Sequence, residues 1–204
     1  SMKDLEIRGA GSLFGYKQSG HISSVGFEMY CNLLKSEVDL VMENSEETRY
    51  PNILFGDDAF INESYIESPT QRLEFYNHFS RAKTTGDVLK IKHELKDRFG
   101  SLPVETKNLL FIADVRVLFQ NTSVSKLSIN GSGLVLVFDD IRPHPSLEKL
   151  FSAFDSFSRD EKVNHVFGKT KSGKLSVSFS AAGIIPSMRL LLKSSRLFLA
   201  VKNE

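Results

Sequence analysis

From Val104 to Asn121 the chain runs VETKNLLFIADVRVLFQN. With about 3.6 residues per helical turn, Leu109, Leu110, Phe111, Ile112, Ala113 and Val115 place apolar groups on nearly every side. A helix that is apolar all round offers no face to water, so it has to lie at the centre of the fold with partners on more than one side. That requirement constrains everything else. The neighbouring segments must supply one-sided surfaces that cover it.

Two helices are expected immediately before it. Ser68-Pro69-Thr70 opens the first, with proline at a position where its missing N–H costs nothing, and Leu73, Tyr76, Phe79 and Ala82 run along one face with Phe75 beside them. Thr85-Gly86-Asp87 starts the second, whose stripe is Val88, Ile91, Leu95 and Phe99 before Gly100 stops it. Leu102-Pro103 resets the chain for the central helix. Further back, His21 to Met42 carries Ile22, Val25, Met29, Leu33, Val38 and Val41 at near-helical spacing, and Glu43 to Thr48 reads as a polar linker. The expected organisation is therefore residues 1–48, a tail ending in a connecting helix, and residues 49–204, a separate domain.

Strands are expected on either side of the helical run. Tyr50, Ile53, Phe55, Phe60 and Ile61 are strand formers interrupted by Gly56-Asp57-Asp58, giving one broken strand or a short hairpin. Asp57 and Asp58 are adjacent, and neighbours on a strand point to opposite faces, so a turn suits them better than a metal or acid–base pair. Val124–Ile129 and Leu134–Phe138 flank Asn130-Gly-Ser-Gly133 as a hairpin with a three- or four-residue loop. Val163–Phe167 and Leu175–Phe179 form another around Lys171-Ser-Gly173. A helix from Ser146 to about Phe157, with Leu147, Leu150, Phe151 and Phe154 as its stripe, separates the hairpins, and a last amphipathic helix follows Pro186. The class is α+β: helices packed with short antiparallel strands and hairpins, preceded by a long linker helix.

The opening residues carry a different kind of signal. Gly9, Gly11, Gly15 and Gly20 fall within seventeen residues, with Arg8, Gln18 and His21 around them. Such a stretch can approach another surface closely. It is not a Walker loop, because Phe14 and Tyr16 stand where the second glycine would be, and Phe14 also breaks a Gly-x-Gly-x-x-Gly pattern. Instead Asp4-Leu-Glu-Ile-Arg-Gly-Ala-Gly11, Gln18-Ser-Gly-His21 and Val25-Gly-Phe-Glu-Met-Tyr30 resemble the end of the translocation motif of the RecG/Mfd family of DNA translocases. The resemblance implies that Arg8, Gln18 and His21 couple ATP hydrolysis to movement along duplex DNA in an intact helicase-superfamily motor. The motor lobes, with their ATP and magnesium, would lie upstream, and Ser1-Met2 reads as an expression remnant.

A second stretch resembles the same family more narrowly. Gln71-Arg-Leu-Glu-Phe-Tyr76 and Ile91-Lys-His-Glu-Leu-Lys-Asp-Arg-Phe-Gly-Ser-Leu-Pro103 are similar to the carboxy-terminal domain of bacterial transcription-repair coupling factors. The resemblance implies a non-catalytic regulatory domain, taking no cofactor itself, that packs on a UvrB-like amino-terminal module and masks the surface for UvrA. RNA polymerase and duplex DNA would be partners of the parent protein. The resemblance places Glu94, Asp97, Arg98 and Phe99 at the interdomain contact, with the two carboxylates facing arginines. Helical spacing of three puts Glu94 and Asp97 on one face. Lys90, Lys92, Lys96 and Arg98 surround them, so local ion pairing is a rival reading, and without the resemblance the two carboxylates read as solvated.

Composition closes off other classes. Among 204 residues, 41% are hydrophobic and 25% charged, ordinary values for a globular chain. Apolar runs fall well short of the ~20 residues that span a bilayer, and no signal pattern opens the chain, so a cytosolic protein with no membrane partner is expected, and the resemblance implies a bacterial one. Cys31 is the only cysteine, and the histidines at 21, 78, 93, 144 and 165 lack His-x-x-x-His spacing, so neither a disulfide nor a zinc site is expected. Sixteen phenylalanines fall mostly on core stripes rather than on a base-stacking platform. The net charge of +1 hides an asymmetry: nine acids against Arg49 in residues 36–70, and eight bases with no acid in residues 162–203. The basic end leaves direct binding of duplex DNA as the alternative function.

Overall fold

The computed structural model describes residues 48–139 and 147–180 of the chain. The expected helix 21–42, the residues Arg8, Gln18 and His21, and the final helix after Pro186 lie outside the described residues. In chain order the elements are β1 (Asn52–Phe55), α1 (Pro69–Arg81), α2 (Thr85–Phe99), α3 (Val104–Leu118), β2 (Val124–Asn130), β3 (Gly133–Phe138), α4 (Leu147–Glu161), β4 (His165–Lys169) and β5 (Leu175–Ser180). No helix among the described residues is long and apolar enough to cross a membrane.

Helix α3 has the all-round burial its sequence requires. Leu109 to Ala113 and then Val115 and Val117 are all buried, as are the polar Thr106 and Asn108. The two polar side chains are satisfied where they enter the core. Asn108 Nδ2 donates to the carbonyl of Asp58 at 2.8 Å, and Thr106 Oγ1 donates to that of Phe60 at 3.4 Å. Both bonds tie α3 to the segment after β1, where Gly56 and Asp57 form a bend and both aspartates are exposed.

The helices start where local chemistry places them. Ser68 Oγ accepts from the Gln71 amide at the head of α1, with Pro69 in the first turn. At α2, Thr84 Oγ1 accepts from the Asp87 amide at 3.1 Å while Asp87 Oδ2 accepts from the Thr84 amide at 3.1 Å, a reciprocal capping box. Gly100, at φ 83°, turns the chain out of α2. Phe75 and Phe79 of α1 and Val88, Ile91 and Leu95 of α2 are buried in the core that α3 shares. Leu73, expected on the α1 stripe, sits at its half-buried edge because Phe75 and Phe79 occupy the centre.

The sheet runs β1-β2-β3-β5-β4. Every neighbouring pair is antiparallel except β1 and β2, which are parallel. The segment after Tyr50 is therefore not a hairpin. It is one four-residue strand whose partner lies past three helices, the crossover a parallel pair demands. Gly56 extends this ladder by donating to the carbonyl of Ile129 at 2.8 Å, and an added Cβ would lie 3.2 Å from Ile129 and Asn130. The β2–β3 turn is tighter than expected. Asn130 pairs with Gly133, leaving Gly131 and Ser132 as a two-residue loop, and Asn130 Oδ1 accepts from both Ser132 and Gly133 amides.

Register sets one face of the sheet inward. Ile53, Leu127, Leu136 and Val177 line up across four strands, as do Ile129, Leu134 and Phe179, all buried. Helix α4 covers this face with Phe154, 5.6 Å from the ring of Phe179 and 6.4 Å from that of Phe138, and with Phe157. It continues to Glu161, beyond the expected end near Phe157. Phe55 meets Phe111 of α3 at 5.9 Å, joining sheet and helices into one core. The arrangement is α+β as expected, with a mixed rather than wholly antiparallel sheet.

Two measurements test this account. Asn108→Ala is expected to cost about 1 kcal/mol in urea unfolding, because the carbonyl of Asp58 loses its donor inside the fold. The Asp87 carboxyl is held below its ordinary value of 3.8, first by the Thr84 hydroxyl and then by backbone amides. Its contribution is thus complete above that value and lost as pH falls through the lower folded value. In Asp87→Asn the decline in stability between about pH 5 and pH 2 is expected to be shallower than in the native chain. Parallel pH curves would remove the capping carboxylate from the account.

Candidate docking face on the second helix

Successive residues advance about 100° around a helix, so α2 has two flanks beside its buried stripe. Glu94 and Arg98 lie on the flank toward α1. Leu89 and Lys92 lie on the opposite flank, toward α3. Asp97 points outward next to Glu94. Four residues singled out from the sequence, Glu94, Asp97, Arg98 and Phe99, thus share one end of one helix.

The α1 flank is closely organised. Arg98 Nη1 donates to Glu94 Oε1 at 2.6 Å, across one turn of α2. The guanidinium carbon lies 5.3 Å from the ring centre of Phe75 and 5.1 Å from that of Phe99. The other oxygen of Glu94 is 4.0 Å from His78 Nδ1 on α1. Phe99 is half-buried, with its ring edge-on to Phe75 at 5.8 Å and to Tyr65 at 5.9 Å. The Tyr65 hydroxyl donates to the carbonyls of Leu95 at 2.9 Å and Gly100 at 3.3 Å, fixing the last turn of α2. Burial raises the Tyr65 pKa above its ordinary value. Asp97 is exposed, and its carboxylate makes no ion pair with a described residue.

The local pairing that the sequence suggested is therefore real for Glu94, through Arg98 rather than the lysines. Lys90 turns instead to Asp87 at 3.8 Å. With both side chains more than a third exposed, the Glu94–Arg98 pair contributes only ~0.3–0.5 kcal/mol. It orders the surface more than it holds the fold. Phe75, Tyr65 and His78 complete this face from outside α2. None of the three stood out beside Glu94 in the sequence, because no spacing rule links residues on different helices.

The α3 flank is an open groove of about 500 Å³ whose lining includes Val88, Leu89, Lys92, Lys107, Phe111 and Asp114. Desolvation pushes the Asp114 carboxyl up, and Lys92 pulls partly against it. One acid and two lysines on an apolar lining do not make a reacting centre.

Another constellation was not legible beforehand. Ser158 Oγ lies 2.6 Å from His165 Nδ1, and His165 Nε2 lies 3.3 Å from Asp155 Oδ1. Serine and aspartate stand one turn apart on α4, and the imidazole comes from β4 among Phe154, Phe167 and Phe179. The trio sits where α4 ends. There the helix presents carbonyls, whereas an oxyanion would need amides. It clips helix to strand. Among the described residues no group of three or more His, Cys, Asp or Glu side chains could hold a metal ion.

Comparison with known proteins bears on the family and the fold. The family described as TRCF domain matches residues 56–148. The transcription-repair-coupling factor of Escherichia coli is 38% identical over 148 residues, covering 66% of this chain and 12% of that protein. That of Buchnera aphidicola is 36% identical over 146 residues, 69% of this chain and 18% of that protein. That of Staphylococcus epidermidis is 27% identical across the whole chain. The chain spans between 12% and 18% of the length of these relatives. The fold matches a crystal structure of the C-terminal domain of a transcription-repair coupling factor with a TM-score of 0.65 at 17% identity, covering 78% of this chain and 97% of that one. With its TRCF domain, its relatives and its fold in agreement, the chain belongs to the transcription-repair coupling factors and carries their carboxy-terminal domain, which is not a motor region.

Proposed function

We propose that this domain is a regulatory module that docks, through the exposed end of α2, on a UvrB-like amino-terminal module of its parent protein and so masks the surface for UvrA. The single observation that carries the reading is Asp97. It is an exposed carboxylate that makes no ion pair with a described residue, beside a Glu94 side chain that Arg98 holds on the same face. Two acids on a firm aromatic base offer a cationic partner a preset target. Arg8, Gln18 and His21 would belong to the other task, coupling ATP hydrolysis to duplex translocation in the intact protein. RNA polymerase and DNA would be met through that parent, in the bacterial cytosol.

Magnitudes limit what the carboxylates can do alone. Closing a site by ~10⁴-fold requires about 5.5 kcal/mol of differential contact. Exposed ion pairs give ~0–1 kcal/mol each, so Phe99 and the apolar rim have to be covered by the partner as well. In the full-length protein, Glu94→Ala with Asp97→Ala is expected to raise UvrA affinity by about tenfold or more, since charges desolvated in an interface cost 2–5 kcal/mol when left unpaired. Unchanged UvrA binding, with the fold intact by circular dichroism, would remove this face from the clamp.

The second reading, direct binding of duplex DNA, rests on Arg159, Lys162, Lys169 and Lys171, which are exposed at the α4–β4–β5 end. Lys174 is less available, lying 3.5 Å from Asp139. Asp160 adjoins the same surface and is exposed. The 204-residue chain is expected to bind duplex DNA weakly and to lose that binding between about 50 and 200 mM salt. Tight association at low salt that weakens steeply as salt rises would favour the DNA reading.

A further inference from the structure

The two carboxylates of the proposed docking face carry the same charge but are not equally available. Asp97 is exposed and makes no ion pair with a described residue. Glu94 already holds a guanidinium: Arg98 Nη1 is 2.6 Å from one oxygen, and His78 Nδ1 is 4.0 Å from the other. Arg98 is also restrained on its far side, its guanidinium carbon lying within 5.3 Å of the ring centres of Phe75 and Phe99. A partner arginine approaching Glu94 must break that bond or share the carboxylate with a second cation that cannot easily swing away. At Asp97 it meets no such rival.

We propose that Arg98 is an internal competitor for Glu94, which holds docking below the affinity two free carboxylates would give and leaves Asp97 as the dominant contact. This inference rests on the docking reading and assigns the regulation of that same face. Arg98 acts here through Glu94, not by touching the partner. An Arg98 that instead aims Glu94 at the partner would have the opposite effect when removed, so the sign of one measurement separates the two roles.

The test titrates the 204-residue chain with the separately produced UvrB-like module of the same parent protein by calorimetry. Salt is kept near 150 mM, where the Debye length is about 8 Å and distant charges are screened. Arg98→Met retains an apolar cover over Phe75 and Phe99, and thermal unfolding checks that each variant is folded. Arg98→Met is expected to tighten docking about two- to threefold, the size of an exposed intrahelical pair. The gain is expected to vanish in an Glu94→Gln background, as a double-mutant cycle requires of a direct rival. Asp97→Asn is expected to weaken docking more than Glu94→Gln does. If the carboxylate variants weaken docking but Arg98→Met leaves it unchanged or weaker, the competitor role is overturned and the docking face stands. If Glu94→Gln and Asp97→Asn leave association unaltered, or none occurs, both readings fall together.

Discussion

Burial of α3 is the constraint on which the rest of this structure depends. A helix with Leu109 to Ala113 all buried in succession has no solvent side over that stretch, so the chain must cover it with elements from both halves of its sequence. Helix α2 packs along one side, and the sheet reaches it through Phe55 and Phe111. Burying one such side chain stabilises by about 1.5–3 kcal/mol, so the central helix outweighs every surface ion pair on the molecule. Polar groups at this depth are allowed only with partners, and Asn108 and Thr106 find theirs in the carbonyls of the segment after β1. The same two bonds lock the first strand to the third helix. A parallel pairing between β1 and the distant β2 thereby becomes part of one core.

That core leaves α2 as a partly free cylinder, and the chemistry follows from which flank faces what. Toward α3 the helix borders an apolar groove. Toward α1 the rings of Phe75 and Phe99, with Tyr65 against Phe99, make a base over which the Arg98 guanidinium sits and holds Glu94. A long charged side chain on a bare helix samples many rotamers, and a partner must then order it at an entropic cost. Here the ordering is already done by cation–π contact and hydrogen bonding within the domain. Such a face suits recognition of a preformed surface. It does not suit catalysis, which needs an enclosed site where reacting groups converge.

Much of this was legible from residue patterns. Ser68-Pro69, the Thr85-Gly86-Asp87 start of α2, Gly100 and the all-apolar run of α3 each act within a few residues, so their positions could be assigned from the chain itself. Less legible were features set by distance. The segment from Tyr50 to Ile61 allowed either one broken strand or a short hairpin, because the sequence shows its strand propensity but not its partner. The β2–β3 loop proved to be two residues long because the Asn130 side chain accepts from two amides at once and closes the turn early. The cluster of Ser158, His165 and Asp155 left no trace, since the imidazole arrives from another element.

The residues of the proposed docking face divide along the same line. Sequence alone placed Glu94 and Asp97 on one helical face and Arg98 one turn from Glu94, because helical spacing is a local geometric fact. It could not decide which carboxylate would be engaged. That depended on Phe75 from α1 and Phe99 from α2 meeting beneath Arg98, and on His78 closing the other side of Glu94. Those approaches come from packing α1 against α2, a long-range arrangement set by burial of apolar area. Backbone periodicity is written in neighbouring residues, whereas the availability of a charge is decided by what the folded chain brings beside it.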